Sequence, residues 1–200
     1  LVLSEELMGF VQGQARAASQ ALAAERGPFP NFHKSVYKDM DQPPLRNATL
    51  TTIAPTGTLS IIAGCSSGIE PLFALSFVRT VMDNDKLMEV NPVFEKAARE
   101  RGFYRPELMD QVARKGSIHE IEEIPEEVRR VFVTAHDVSS EWHIRMQAAF
   151  QEHCDSAISK TTNFSHTATK EDVRAIYELA YDMKCKGVTV YRDGSRDGQV

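Results

Sequence analysis

Cysteine is scarce in this sequence and badly spaced for cross-linking: three thiols in 200 residues, Cys65, Cys154 and Cys185, with no CxxC pair. Thiols scattered in this way suit a reducing compartment better than a disulfide framework, and they do not compose a metal site. Long apolar runs are missing as well. No stretch approaches the roughly 20 residues that span a bilayer, and the opening LVLSEELMGF lacks the basic n-region and cleavage site of a signal peptide. A cytoplasmic protein with no membrane partner is expected. Positive charge is in deficit: 23 Lys and Arg against 28 Asp and Glu leave a net charge of −5 and a pI near 5.7. That argues against a nucleic-acid binder, whose affinity comes mainly from counterions displaced by Lys and Arg. A small anion needs only a local site and stays allowed.

What is present is enough for a folded domain. With 42% hydrophobic residues the chain can bury one substantial core, and residues 1–200 read as one domain. The first residue is Leu1, and the last residues, RDGSRDGQV, do not taper into a tail. The expectation is a piece of a longer protein.

The segment SEELMGFVQGQARAASQALAAERGP predicts an amphipathic helix from Ser4 to Arg26, with Leu7, Val11, Ala15, Ala18 and Leu22 on its apolar face and Gly27–Pro28 as the stop. Residues 27–46 hold four prolines without a period and predict an irregular loop. NATLTTIA alternates and is β-branched, which predicts a strand ending at Pro55; a short helix from about Thr58 to Gly64 follows, and LFALSFVRTVM predicts a second strand before a turn at 83–85. The middle third reads as helical. Asn91 caps a helix with Pro92 at its first position, Pro106 and Pro125 open two more, and SSEWHIRMQAAFQEHC places Trp142, Met146, Ala149 and Phe150 on one face. AISKTTNF as a strand, a helix capped by Thr169 and Asp172 with Val173, Ile176, Tyr177 and Ala180 inward, and VTVY as a strand compose a terminal βαβ unit with parallel strands. The fold class is therefore α/β.

Five features invite a chemical reading. In APTGTLS, a strand end running into a helix start leaves backbone N–H groups of residues 56–60 without internal partners, beside Gly57 and the hydroxyls of Thr56, Thr58 and Ser60. This is either a phosphate cradle or a capped helix that meets only water. It is no Walker loop, because GxxxxGK[ST] is absent. Cys65 in GCSSG is a nucleophile or, more simply, a turn cysteine, since G-x-S-x-G is not matched. Glu70 either bonds a backbone turn or faces a cavity. The six histidines lack an HExxH and read as structural or exposed, while YRDGSRDG reads as a solvated loop unless Tyr191, Arg192 and Asp193 use their place at a strand's carboxyl end.

Three blocks, LRNATLTTIAPTGTLSIIAGCSSGIEPLFA, DSAISKTTNF and CKGVTVYRDGSR, together with SSEWHIRMQAAFQ, resemble the C-terminal part of the catalytic domain of adenosylcobalamin-dependent (class II) ribonucleotide reductases. The resemblance runs over essentially the whole chain. It implies a segment of a ten-stranded α/β barrel in an enzyme that reduces the 2′ carbon of ribonucleotides by thiyl-radical chemistry, with a thioredoxin-like reductant. It implies further that Thr56, Gly57, Thr58, Leu59 and Ser60 hold the substrate phosphates, and that Tyr191 neighbours the radical cysteine. The family's N-x-C-x-E motif is absent, so no catalytic or metal-binding residue is expected here and none of the three cysteines inherits a radical or redox role. On this reading adenosylcobalamin serves the full-length parent, the segment alone is inactive, and its exposed strand edges favour self-association. The alternatives are a non-catalytic nucleotide-binding module and an inactive structural fragment.

Overall fold

A computed structural model describes residues 1–80 and 86–195. In chain order the elements are α1 (Val2–Arg26), a 3-10 turn (Phe32–Lys34), α2 (Val36–Asp39), α3 (Gly57–Ala63), β1 (Ser76–Thr80), β2 (Lys86–Val90), α4 (Pro92–Glu100), α5 (Pro106–Lys115), α6 (Glu126–Arg129), α7 (Ser140–Gln151), β3 (Thr161–Phe164), α8 (Lys170–Asp182) and β4 (Thr189–Arg192). The strands form two open pairs: β1 with β2 antiparallel, β3 with β4 parallel. The described residues thus form an α/β segment, and they do not by themselves close a ten-stranded ring.

The terminal βαβ unit forms because its local signals agree. Thr169 and Asp172 cap each other reciprocally at the start of α8, and the crossover brings Thr161 opposite Thr189 and Asn163 opposite Tyr191. Ile144 of α7, Phe164, Ile176 and Ala180 fill the space between helices and strands. Tyr177, expected inward, is half exposed, because the stripe that meets the sheet is centred on Ile176 and Ala180 with Val173, Leu179 and Met183 beside it. A second core lies in the middle third, where Phe94, Leu108, Met109, Val112, Ile118, Ile121 and Ile124 are buried. Asn91 caps α4 by accepting from the N–H groups of Val93 and Phe94, as Asn-Pro predicts.

Several expected elements differ. In α1 the buried line is Met8, Ser19 and Ala23, whereas Leu7, Val11 and Leu22 are exposed. Small groups allow close approach there: the Gly9 backbone faces the His153 ring, and the Ser19 hydroxyl accepts from Arg46 N–H and Asn47 N–H. Ser4 caps nothing and instead donates to Met146 Sδ. NATLTTIA is not a strand; it makes one parallel bridge, Ile53 to Ile158, because its other bonds run to loop and side-chain atoms, such as Leu50 N–H to Asp155 Oδ2. The strand expected over LFALSFVRTVM spans Ser76–Thr80; Val81, Met82 and the turn at 83–85 lie outside the described residues. Pro125 precedes only a single turn, α6. On α7, Trp142 is 54% exposed while His143, Ile144 and Gln147 are buried, so the inner face is rotated from the expected one and is largely polar.

The packing distinguishes two neighbours on α8. Ile176→Ala should cost about 2–5 kcal/mol in urea unfolding through lost burial and a residual cavity, whereas Tyr177→Ala should stay within about 0.5 kcal/mol. Equal losses would show that the expected face, with Tyr177 inward, is the right one.

Candidate functional site

Pro55 ends the extended segment, and Thr56 turns the chain through a left-handed conformation, φ 49° and ψ 25°, into α3. A non-glycine residue held there carries strain that its surroundings must offset. Thr56 Oγ1 does not cap the helix but accepts from Gly68 N–H at 3.2 Å. The N–H of Ser60 reaches Thr56 O at 2.8 Å, so the N–H groups of Gly57, Thr58 and Leu59 precede the first helical bond and have no intrahelical acceptor. No acidic side chain stands in this first turn, and Gly57, Thr58 and Leu59 are exposed. Nothing lies within 4 Å of where a Cβ on Gly57 would be. The Ser60 hydroxyl turns back and donates to Gly57 O. Five residues named from the sequence are thus brought together at one exposed turn that offers N–H donors.

The return from α3 explains Glu70. Ser159 N–H donates to Ile53 O at 2.8 Å, and two residues on, Thr161 N–H donates to Glu70 Oε1 at 2.7 Å. In a parallel ladder that second N–H would look for a carbonyl further along the neighbouring strand. The chain has already turned away after Pro55, and a carboxylate stands in its place. Glu70 therefore bonds backbone, but at the first residue of β3, 91 positions away, and not at the turn its sequence context suggested.

Behind β3 lies a polar seam that sequence reasoning missed. Lys160 is 2% exposed; its ammonium meets His143 Nδ1 at 2.6 Å, Thr161 O at 3.0 Å and Glu70 Oε2 at 3.6 Å. His143 Nε2 faces Ala135 O at 2.9 Å. A carbonyl only accepts, so Nε2 carries the proton and Nδ1 accepts from Lys160. Burial, then the Lys160 ammonium, push the His143 imidazole down to about 4; burial likewise lowers Lys160, with Glu70 opposing. Further along α7, Gln147 Nε2 donates to Gly187 O and Gln151 Nε2 to the carbonyls of Cys154 and Ser156. The signal was the spacing of His143, Gln147 and Gln151 at i, i+4 and i+8, one helix face written in polar residues.

The other candidates are placed as follows. Tyr191 is half-buried on β4, opposite Asn163 of β3, whereas Ile53 bridges Ile158, five residues earlier in the chain, so Tyr191 is set apart from Ile53 both across the strands and along them. Cys65 is an exposed free thiol at the rim of a groove of about 630 Å³ lined by Ile61, Leu72, Val93 and Phe132 among others. No hydrogen bond joins that thiol to a base among the described residues. Cys154 is buried and Cys185 half-buried, its thiol pushed up by burial. No group of three His, Cys, Asp or Glu able to hold a metal ion is found among the described residues, and no described helix is long and apolar enough to cross a membrane.

Comparison with known proteins gives this arrangement a context. Residues 38–191 match the family model of the ribonucleotide reductase barrel domain. The chain is 52% identical, over its whole length, to a vitamin B12-dependent ribonucleoside-diphosphate reductase of Thermoplasma acidophilum, and 50% identical over 99% of its length to one of Mycobacterium tuberculosis. It spans only 26% and 28% of those two proteins. Among solved structures it is similar to the alpha subunit of a class Id ribonucleotide reductase from Actinobacillus ureae, with a TM-score of 0.77 and 24% identity, over 96% of this chain and 34% of that one.

The His143 geometry makes stability depend on acid. An imidazole titrating near 6.5 when unfolded and near 4 when folded binds its proton first in the unfolded state, so stability should fall as pH drops from about 6.5 to about 4. Urea unfolding of the chain against His143→Gln should show that slope only where the histidine is present. Parallel pH curves for the two proteins would contradict the assignment.

Proposed function

The chain belongs to the ribonucleotide reductase barrel family, and on that premise we propose that it is the segment of a vitamin B12-dependent ribonucleotide reductase that anchors the substrate phosphates. The single observation that carries this reading is the turn at Thr56–Ser60. There the N–H groups of Gly57, Thr58 and Leu59 stand free of helical bonds, beside an open glycine and with no acid in the first turn. The partial positive charge of a helix start favours an anion. A phosphate held there fixes the nucleotide's position, and fixed position is a large part of what catalysis needs in a two-centre reaction.

In the full-length parent the substrate is a ribonucleoside di- or triphosphate, and a thiyl radical on a cysteine outside these 200 residues opens the attack on the ribose. Adenosylcobalamin, when bound to the parent, supplies that radical. Nothing in this segment is assigned to hold it: His143, the one buried histidine among the described residues, already has both ring nitrogens engaged. Tyr191 on β4 is the neighbour of the reacting region on this reading, with the rest of the reductase chain and a thioredoxin-like reductant as partners. The ten-stranded barrel is completed by that remaining chain. Alone, the segment leaves Leu3, Leu7 and Phe10 of α1 and Ile61 and Ile62 of α3 exposed, which favours self-association.

Calorimetric titration of the parent reductase with ribonucleoside di- and triphosphates tests the placement. Gly57→Trp has room at Cβ and so should leave the fold intact while abolishing binding, and Cys65→Ser should leave binding unchanged. Undiminished binding by a folded Gly57→Trp protein would remove the phosphate site from this turn.

A further inference from the structure

A lysine with no exposed side chain needs a reason to be there. Burying an ammonium is unfavourable unless its three protons find acceptors, and Lys160 has three groups to serve them: His143 Nδ1, Thr161 O and the Glu70 carboxylate. Its side chain is 0% exposed against 27% for Glu70. The ion pair therefore runs from the interior behind β3 outward to the loop that returns from α3. That loop is itself tied to the turn. Glu70 N–H donates to Ser67 O, and Gly68 N–H donates to Thr56 Oγ1. Gly68, at φ 52°, lies against Ala54 O and the Ile53 side chain, each 3.6 Å from where its Cβ would stand. Thr56, the residue in the strained left-handed conformation, is thus held by Gly68, Gly68 lies in the turn closed by Glu70, and Glu70 is held by Thr161 N–H and Lys160.

We propose that Lys160 is a positioning residue for substrate binding: through Glu70 and the Ser67–Glu70 turn it fixes Thr56, and so the aim of the N–H groups at Gly57, Thr58 and Leu59. It touches no substrate. The inference rests on the phosphate reading of that turn and adds what sets its geometry. His143 is part of the same device, because with its proton on Nε2 it presents the lone pair that fixes where the Lys160 ammonium sits. An apolar replacement of Lys160 would leave Glu70 with Thr161 N–H alone, and a carboxylate one-quarter exposed would be free to leave for water.

The test uses the full-length reductase that carries this segment, with Lys160→Met, Lys160→Arg, Glu70→Gln, the double variant Lys160→Met/Glu70→Gln, and Gly57→Trp. The readouts are thermal stability, kcat and KM for a ribonucleoside diphosphate, and the inhibition constant of inorganic diphosphate. Lys160→Met should raise KM and the diphosphate constant together by about tenfold or more, with kcat changed less than threefold. Glu70→Gln, which removes the charge at a partly exposed position, should shift both in the same direction, and the double variant should be no worse than Lys160→Met alone. Lys160→Arg, which keeps the charge, should recover part of the loss. Unchanged KM and diphosphate inhibition in folded Lys160→Met or Glu70→Gln protein overturns the proposal, as does a loss of kcat and affinity that only tracks thermal stability. Gly57→Trp separates the two readings. If it abolishes diphosphate inhibition while Lys160→Met does nothing, the positioning role alone is wrong; if it does nothing, the phosphate site itself is wrong and the proposal falls with it.

Discussion

The edge of β3 is the constraint on which the described structure turns. On the side away from β4, the chain from Ser159 into β3 has a second row of backbone donors, and buried donors must be paired. Ile53 serves the first of them and then the chain leaves, because Pro55 and the left-handed Thr56 redirect it into α3. Glu70 returns from the far side of that helix to serve the next. A carboxylate used in place of a carbonyl brings a charge with it, and the charge is matched by Lys160 beneath the strand. The loop, the helix start and the buried lysine are therefore one mechanical unit.

That unit explains why the face of α7 toward β3 is polar. An apolar seam would pack as well and would avoid desolvating an ammonium; buried ion pairs are often no more stabilising than apolar residues of similar shape. What the polar seam adds is direction. His143 accepts from Lys160 through one nitrogen and donates to Ala135 O through the other, and Gln147 and Gln151 bond the carbonyls of Gly187, Cys154 and Ser156. Each bond fixes a loop that flanks the sheet, so α7 acts as a polar spine behind β3 and β4. The side-chain oxygens of Gln147 and Thr162 in this region have no partner among the described residues, and nothing in the structure explains them.

The parts of the fold written in local chemistry were legible in the sequence. Asn91–Pro92, the Thr169–Asp172 capping box and the βαβ spacing each name their own geometry, and α4, α8 and the parallel β3–β4 pair follow them. The extent of α3 was also readable, from Pro55 on one side and Gly64 on the other. What was not legible depends on partners far along the chain. NATLTTIA has strand composition, yet one bridge is all it makes, because it pairs only at Ile158, ahead of β3, before Pro55 turns the chain away. The inner faces of α1 and α7 were misjudged for a shared reason: periodicity finds apolar stripes, while these interfaces use Ser19 and Gly9 for closeness and His143, Gln147 and Lys160 for bonding. At the candidate site the turn at Thr56–Ser60 was named from the sequence, whereas the contacts that support it were not. Nothing local to Lys160 or Glu70 says that they meet across 90 positions.

The central claim is that the turn at Thr56–Ser60 holds phosphate in a B12-dependent reductase. The most direct measurement is a structure of the full-length reductase with a ribonucleoside diphosphate bound. The account predicts phosphate oxygens about 3 Å from the N–H groups of Gly57, Thr58 and Leu59, with Glu70 still on Thr161 and Lys160. Phosphates bound elsewhere, with this turn facing only solvent, would contradict it.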